Sequence, residues 1–210
     1  MTKAKNNILN RLKKVKDNPS PLPYPNLEKE AVAIYPKPTE SLDVLFAQNF
    51  QQNGGKFVFC GSQKELIKNL QLLTQQKKWS KVYCWETELQ QLFDQHNFSY
   101  QAKQKALIHS DASITTCDAL VARTGAVLLS SNTAAGRSLS IVPPVHIVIA
   151  TSNQVIYNMK EVLNLQTARE DEWPSMLCFT STNSRTADIE KTLVNGAHGP
   201  KELYVFFLEI

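Results

Sequence analysis

The sequence lacks the short motifs through which many enzymes hold a nucleotide, a metal ion or a serine nucleophile. It contains no Gly-x-Gly-x-x-Gly loop, no Walker loop, no Gly-x-Ser-x-Gly elbow and no His-Glu-x-x-His pair. Glycine is scarce, with seven residues among 210, and proline contributes ten. This composition is typical of globular proteins and excludes collagen-like and low-complexity classes. Nucleotide binding by those loops and hydrolysis at such an elbow therefore have no support in the sequence.

Cysteine is also scarce, and its spacing does not suit a metal centre. The four cysteines, at positions 60, 84, 117 and 178, include no Cys-x-x-Cys pair. The sequence therefore holds neither a zinc knuckle nor an iron–sulfur ligand set. Three of the cysteines lie in or at the end of short apolar runs, where a thiol usually packs as a small core residue. We expect no metal ion or cofactor in this chain and a reduced, cytoplasmic environment.

The sequence contains no long hydrophobic run and no strong excess of one charge. No segment approaches the ~18 consecutive apolar residues of a membrane span. No apolar stretch follows the basic N-terminus, so we do not expect a secretory signal either. The net charge is +4, but residues 1–20 alone carry six basic groups against one acidic group. The rest of the chain is close to neutral, so we do not expect it to bind nucleic acid.

The N-terminal segment has the pattern of a basic amphipathic helix followed by a stiff linker. The apolar positions that recur at helical spacing are Ile8, Leu9, Leu12 and Val15. They predict a helix over residues 4–16, and four prolines between 19 and 25 cannot continue it. We expect residues 1–27 to form an arm and residues 28–210 to form a single domain. The basic face of the helix has three interpretations: a solvated surface, a docking surface for a partner or a second copy, or a membrane or nucleic-acid contact.

In the rest of the chain, short apolar segments alternate with helical patterns, as in proteins built from βαβ units. The predicted strands are residues 31–35, 56–60, 81–85, 141–150, 176–180 and 203–209. The predicted helices cover residues 42–50, 63–73, 88–93, 156–163 and 187–194. Capping-box signatures open two of these helices, namely Ser62 with Glu65 and Thr87 with Gln90. Residues 113–131 are rich in small and β-branched residues, which predicts a meander of two or three strands.

These patterns together predict the α/β fold class. We expect an open, mainly parallel sheet that is flanked by helices and carries an inserted β-layer.

Two polar loops that follow predicted strands are the candidate binding segments. In residues 180–186, six of seven side chains carry a hydroxyl or amide, Arg185 adds a positive fork, and a predicted helix begins next. Free N–H groups at such a helix start favour a carboxylate or phosphate. The alternative is that Thr186 only caps the helix, with Asp188 and Glu190 complementing its dipole. The second loop, residues 130–140, places Arg137 among hydroxyl side chains.

Histidine offers one further candidate. His146 lies in an apolar strand, which indicates a buried sheet residue, and no two histidines have the spacing of a helical metal site. His198 lies beside Gly199 in a glycine-rich turn before the last strand, where loops often carry function. The alternative is that this turn simply ends a helix, which requires glycine at a positive φ.

Several ordered segments resemble blocks of the lactate-utilisation (LUD) domain family. The segment from Ser184 to Glu190 reads Ser-Arg-Thr-Ala-Asp-Ile-Glu, and the next block ends in Gly-Ala-His-Gly-Pro at Pro200. Ala-Arg-Thr-Gly at 122–125 and Ile-Val-Pro-Pro-Val-His at 141–146 match two further blocks in order and spacing. The similarity covers about residues 110–205. The candidate ligand-binding residues are then Thr124, Gly125, Arg137, Thr182, Asn183, Ser184, Arg185, Thr186, Asp188, Glu190, His198 and Gly199; no catalytic residue is assigned.

The resemblance implies the fold of ribose-5-phosphate isomerase, glucosamine-phosphate deaminase and CoA-transferases. It also implies an accessory role in oxidising L-lactate to pyruvate, beside a Cys-rich and an iron–sulfur partner protein that hold the clusters. The chain departs from the family pattern at Arg123, Ala126, Thr182 and Asn183. The alternatives are a stand-alone enzyme acting on a small phosphorylated sugar or a CoA thioester, and a regulatory module that binds a small anion. Assembly as a homo-oligomer is also open.

Overall fold

The computed structural model describes residues 3–17, 35–36, 38–103, 107–168, 173–182, 185–186, 194–195 and 199–210. The chain divides into two compact units, Met1–Lys37 and Pro38–Ile210. The predicted boundary at residues 27 and 28 lies outside the described residues, as do residues 31–34 of the predicted strand 31–35; Tyr35 is described and lies in a bend.

The first unit contains the predicted amphipathic helix, α1 (Lys3–Asp17). Its apolar residues Ile8, Leu9 and Leu12 are exposed, by 59%, 43% and 60% respectively. The helix therefore forms as its periodicity predicts, but it presents an apolar stripe to solvent. The proline-rich stretch that follows lies outside the described part of the chain.

The second unit contains the α/β domain. Its helices are α2 (Leu42–Gln52), α3 (Gln63–Lys77), α4 (Thr87–Gln95) and α5 (Met159–Ala168). Its first strands are β1 (Lys56–Cys60), β2 (Val82–Tyr83), β3 (Ala112–Thr115), β4 (Ala119–Val121), β5 (Ala126–Ser130) and β6 (Val145–Thr151). The strands that follow are β7 (Val155–Ile156), β8 (Leu177–Thr180), β9 (Arg185–Thr186), β10 (Val194–Asn195) and β11 (Glu202–Leu208). Short 3₁₀ turns cover Leu107–His109 and Ser152–Gln154.

The main sheet has five strands in the order β1-β11-β6-β3-β2, and every pairing is parallel. The inner strands β6 and β11 are apolar runs because both of their faces are buried. On one face, α3 and α4 contribute Leu66, Leu70 and Phe93 to a core shared with Ile147 and Phe206. The predicted open parallel sheet flanked by helices is confirmed.

A second sheet, in the order β7-β4-β5-β8, covers the other face. Leu120 and Val127 of this sheet and Phe46 of α2 share a core with Val148 and Val205 of the main sheet. This sheet is the predicted inserted β-layer. The predicted meander is divided, because β3 pairs with β2 and β6 in the main sheet, and only β4 and β5 join the layer.

The starts of two helices differ in how well the sequence predicts them. The Ser62 hydroxyl caps α3 by accepting the N–H of Glu65 at 3.3 Å, as the capping signature predicts. The predicted cap at Thr87 is wrong, because Glu86 is the N-cap of α4 and Thr87 is already helical. The reason is tertiary: the Glu86 carboxylate accepts the N–H of Thr116 at 2.9 Å, which holds the chain just before the helix.

The observed bounds of two further helices differ from the predicted ones. The helix expected over residues 187–194 does not include Val194, which pairs with Thr186 in the antiparallel β9–β10 ladder. Residues 187–193 lie outside the described part. Ile156 belongs to β7 rather than to a helix, because it pairs with Val121 of the β-layer, and α5 begins at Met159.

Candidate functional site

A cleft of about 240 Å³ lies between the two sheets, at the N-terminal end of β6. We call it the inter-sheet cleft. The described residues that line it are Leu129, Ser140, Ile141, His146, Met176, Cys178, Thr180, Thr182 and Pro200. It thus combines apolar side chains, hydroxyl groups, one thiol and one imidazole. No carboxylate or ammonium group is among these lining residues.

Strand alternation explains why β8 contributes to this cleft. Leu129 of β5 is opposite Cys178, and Val127 is opposite Thr180 in the antiparallel ladder. Leu129 and Val127 face the main sheet, so their cross-strand partners Cys178 and Thr180 face it too. Cys178 and Thr180 therefore reach the cleft, whereas the intervening Phe179 packs on the outer core beside α5.

His146 is the buried polar group of the cleft. It lies in register with Ser113 of β3 and Leu203 of β11, and only 1% of its surface is exposed. Burial lowers the pKa of the imidazole to about 4, so the ring is neutral at pH 7.

A hydroxyl group on the neighbouring strand positions the imidazole. The His146 Nε2 lies 2.9 Å from the Thr115 hydroxyl, and the same hydroxyl lies 2.9 Å from the carbonyl of Thr116. The hydroxyl has one proton for these two acceptors, so the imidazole contacts it as either donor or acceptor.

A smaller polar pocket adjoins the cleft and shares Leu129 and Ser140 with it. It has room for about one water molecule. The Asp118 carboxylate lines it and accepts the Ser130 hydroxyl at 3.2 Å through Oδ1. The other oxygen, Oδ2, is buried without a hydrogen-bond partner in the described structure. The pocket is therefore lined by a carboxyl group whose second oxygen has no partner among the described residues.

Glu86 adds a second carboxylate near this pocket. Its residue surface is 7% exposed, and its Oε1 is buried with no hydrogen-bond partner among the described residues. Burial raises the pKa of Glu86, and the neighbouring charges of Glu88 and Asp118 add to that shift. Two carboxyl groups therefore lie at or next to this pocket.

The predicted C-terminal loop contributes to the cleft through Thr182. Gly199 has a φ of 88°, as expected for the glycine-rich turn, and it places Pro200 against the cleft. Arg185 and Thr186 form β9, and their side chains lie outside the description. The further candidates that lie outside the described residues are Asn183, Ser184, Asp188, Glu190 and His198.

Arg137 lies beside the cleft rather than in it. Its Nη2 donates to the Ser175 carbonyl at 3.2 Å and to the Ser175 hydroxyl at 2.5 Å. Ser175 directly precedes Met176, which lines the cleft. The guanidinium therefore links the loop of residues 131–144 to the residue that precedes Met176.

Thr124 and Gly125 lie in the turn between β4 and β5, against α2. The Asn53 amide donates to the Thr124 carbonyl at 2.9 Å, and the Asn49 amide donates to the Ala122 carbonyl at 2.8 Å. Neither Thr124 nor Gly125 is among the described residues that line the cleft. The structure thus gives this turn a packing role, and its predicted ligand role remains a prediction.

A larger groove of about 500 Å³ lies elsewhere on the domain. It is lined by Leu42, Val155, Ile156, Tyr157, Glu161 and Asn164. Its only titratable groups in the described part are Glu161, which also accepts the Asn158 amide, and Tyr157. We favour the inter-sheet cleft as the site because it contains a buried, oriented imidazole.

His146 and Cys178 were not assigned to a site from the sequence, whereas Ser140 belongs to the second candidate loop. The sequence feature that could have pointed to His146 lies in β3, where Ser113 and Thr115 alternate with apolar residues inside a buried strand. Such alternation indicates a polar face, and His146 is the neighbouring polar residue on β6.

Two wider properties concern metals and membranes. In the described part of the chain, no three His, Cys, Asp or Glu side chains lie close enough together to hold a metal ion. Among the described helices, none has both the length and the apolar character needed to cross a bilayer.

Comparison with curated proteins identifies several similar sequences. Lactate utilization protein C of Halalkalibacterium halodurans is 38% identical over 94 residues, which cover 43% of this chain and 41% of that protein. Lactate utilization protein C of Deinococcus radiodurans is 33% identical over 100 residues, covering 47% of each protein. The chain therefore spans less than half the length of these relatives.

Comparison with solved structures supports the fold. The crystal structure of a DUF162 family protein from Deinococcus radiodurans matches with a TM-score of 0.59 and 16% identity. The match covers 82% of this chain and 99% of that chain. At this identity the likeness concerns the fold alone.

The family assignment comes from a sequence model that extends over most of the domain. The LUD domain model matches residues 44–208, from the first turn of α2 to the end of β11. This range includes both sheets and every residue of the inter-sheet cleft. The chain belongs to the LUD domain family.

Proposed function

We propose that this chain is a subunit of a lactate-utilisation system. The observation that carries the proposal is the similarity to several proteins named lactate utilization protein C, at 30–38% identity. The LUD domain match and the presence of a cleft large enough for a three-carbon acid are consistent with it.

More specifically, we propose that the chain is an accessory subunit of a cytoplasmic, iron–sulfur-dependent system that oxidises L-lactate to pyruvate. A Cys-rich partner and an iron–sulfur partner supply the electron-accepting clusters. The assignment to partners is supported by the thiols of this chain: Cys60, Cys84 and Cys117 are buried. Burial raises the pKa of Cys84 to about 12, and a protonated thiol is a poor metal ligand.

Deletion of the gene in its native host tests the role in lactate use. We expect slow or absent growth on L-lactate, normal growth on pyruvate, and recovery when the intact gene is restored. Growth on pyruvate is the matched control because it bypasses only the oxidation step. Normal growth of the deletion strain on L-lactate would contradict the proposal.

Affinity purification tests the accessory role. We expect the tagged chain from lactate-grown cells to bring down two proteins, one Cys-rich and one with an iron–sulfur spectrum. The isolated chain should oxidise no lactate by itself. Turnover of a sugar phosphate or CoA thioester by the isolated chain would instead support a stand-alone enzyme.

A further inference from the structure

We propose that the polar pocket beside Asp118 binds an alkali-metal cation, Na⁺ or K⁺, through oxygen ligands. This pocket adjoins the inter-sheet cleft, and its assignment is independent of the proposed role in lactate utilisation. Cysteine and histidine spacing, which predicts no metal centre in this chain, does not reveal a site built from carboxylate and hydroxyl oxygens.

Asp118 places an unsatisfied carboxylate oxygen at the wall of the pocket. Its Oδ1 accepts the Ser130 hydroxyl at 3.2 Å. Its Oδ2 is buried and has no hydrogen-bond partner among the described residues. A buried carboxylate oxygen without a partner is costly, because nothing replaces the water that solvated it. A cation in contact with Oδ2 removes this cost.

Glu86 is a second buried carboxylate next to the pocket. Only 7% of its surface is exposed, and its Oε2 accepts the N–H of Thr116, which lines the pocket, at 2.9 Å. Its Oε1 is buried without a partner in the described part of the chain. Burial raises the pKa of Glu86, and the charges of Glu88 and Asp118 raise it further. A cation held beside the two carboxylates offsets this repulsion.

No basic side chain is among the described residues that line the pocket. Arg137 lies in the bordering loop, but its guanidinium donates to the carbonyl and the hydroxyl of Ser175. Both ion pairs among the described residues involve Glu202, on strand β11. A bound ion therefore supplies a positive charge that the described lining lacks.

The size and the hydroxyl groups of the pocket suit a cation without its hydration shell. The pocket has room for about one water molecule, and Na⁺ and K⁺ are of similar size. The hydroxyl-bearing residues Ser130, Thr133 and Ser140 are among those that line it. Their protons are donated to Oδ1 of Asp118 and to the carbonyls of Ser130 and Arg137, at 3.2, 3.5 and 3.2 Å respectively. Each hydroxyl oxygen keeps lone pairs for a cation but has no second proton for an anion.

These ligands favour an alkali-metal ion over other metals. In the described part of the chain no three His, Cys, Asp or Glu side chains cluster, so the pocket does not suit a transition metal that prefers nitrogen and sulfur. Mg²⁺ usually keeps several waters, for which the pocket has no room. Ca²⁺ usually takes several carboxylate ligands, whereas Asp118 is the one carboxylate among the described lining residues.

The test measures thermal unfolding of the full-length protein at neutral pH in NaCl, KCl and choline chloride of equal ionic strength. Choline is too large to enter a pocket of this size. We expect the melting temperature to be about 3–6 °C higher in NaCl or KCl than in choline chloride when the ion is at about ten times its Kd. The salt that gives the larger shift identifies the ion that the pocket prefers.

Asp118→Asn keeps the size of the side chain and removes its charge, so the melting temperatures in the three salts should become equal. Asp94→Asn removes one charge from an exposed position of α4 and is the matched control, which should keep the difference. If Asp118→Asn fails to fold, Glu86→Gln replaces it. Glutamine still accepts the N–H of Thr116, but the second charge is lost, so the shift should decrease.

Three results would overturn the inference. The first is an equal melting temperature in the three salts, which would mean that the pocket holds only water. The second is a difference between the salts that persists in Asp118→Asn. The third is stabilisation by CaCl₂ or MgCl₂ without any stabilisation by NaCl or KCl. All three are independent of growth on L-lactate, so each refutes the ion site and leaves the proposed function unaffected.

Discussion

At the scale of single residues, the polar groups inside the domain determine its chemistry. Ser113, Thr115 and His146 are buried polar residues on adjacent strands of the main sheet. Each has a partner: Ser113 donates to the Leu139 carbonyl at 2.6 Å, and Thr115 bonds His146. These bonds hold the loop of residues 131–144 and the imidazole in place. The same burial that orients His146 also keeps it neutral.

This neutrality predicts a pH dependence of stability. The folded pKa of His146, about 4, lies below its unfolded value of 6.5, so the unfolded chain binds a proton first as the pH falls. The free energy of unfolding should therefore be highest above pH 6.5 and should decrease towards pH 4, by roughly 3 kcal/mol from this group. Denaturant titrations at several pH values measure the slope.

The variant His146→Gln isolates this contribution, because glutamine does not titrate. Its unfolding free energy should change less between pH 6.5 and 4 than that of the parent. The exposed His109→Gln provides the control and should retain the parental slope. A slope that is identical in His146→Gln and the parent would mean that the pKa of this imidazole is the same in the folded and unfolded protein.

At the scale of elements, the close approach of the β4–β5 turn to α2 joins the second sheet to the core. Gly125 has a φ of 59°, and a Cβ there would lie 2.4 Å from the backbone nitrogen of Phe50. The side chains of Asn49 and Asn53 bond the carbonyls of the same turn. Position 125 therefore requires glycine for two reasons: the positive φ, and the lack of room for a Cβ atom next to α2.

Replacing Gly125 by alanine should destabilise the protein by about 3 kcal/mol, the sum of left-handed strain and overpacking. Gly136→Ala provides a matched control, since its φ of 58° is nearly the same but no atom lies within 4 Å of the added Cβ. It should cost about 1 kcal/mol. Urea denaturation of both variants measures the difference. Equal losses would show that α2 moves away from the turn at little cost.

At the scale of the whole molecule, the chain consists of an α/β domain and a separate N-terminal unit. Helix α1 exposes Ile8, Leu9 and Leu12 and carries basic residues on its other faces. A helix whose apolar stripe is exposed contributes little burial energy to a core. We therefore expect the arm to dock on a partner protein or on a second copy of the chain.

Removal of residues 1–27 tests this expectation. The melting temperature of the shortened protein should stay within about 2 °C of the parent, because the apolar side chains of Ile8, Leu9 and Leu12 are exposed. Partner capture or self-association, followed by light scattering, should decrease. The triple change of Ile8, Leu9 and Leu12 to serine in the full chain is the matched control and should have the same effect. A sharp fall in melting temperature for a monomeric protein would place the arm in the core.

The sequence by itself determined the elements whose signals are local. Periodicity placed α1 and α2, and the capping box placed the start of α3. Apolar runs placed β1 and β11 and most of β6, which begins at Val145 rather than at the predicted residue 141. Each of these signals depends on neighbours within a few residues. The ordered motifs also identified the family and, with it, the fold class.

Only the tertiary structure decided which sheet each strand joins and what lines the cleft. Strand β3 (Ala112–Thr115) belongs to the parallel sheet rather than to the predicted meander. Its partners β2 and β6 are distant from it in the sequence, so local patterns do not reveal these pairings. The N-cap of α4 is Glu86 rather than Thr87. The Glu86 carboxylate accepts the backbone N–H of Thr116, which is thirty residues away in the sequence. His146 was recognisable from the sequence as a buried residue. Its hydrogen bond with the Thr115 hydroxyl joins two neighbouring strands, and that contact exists only in the folded domain.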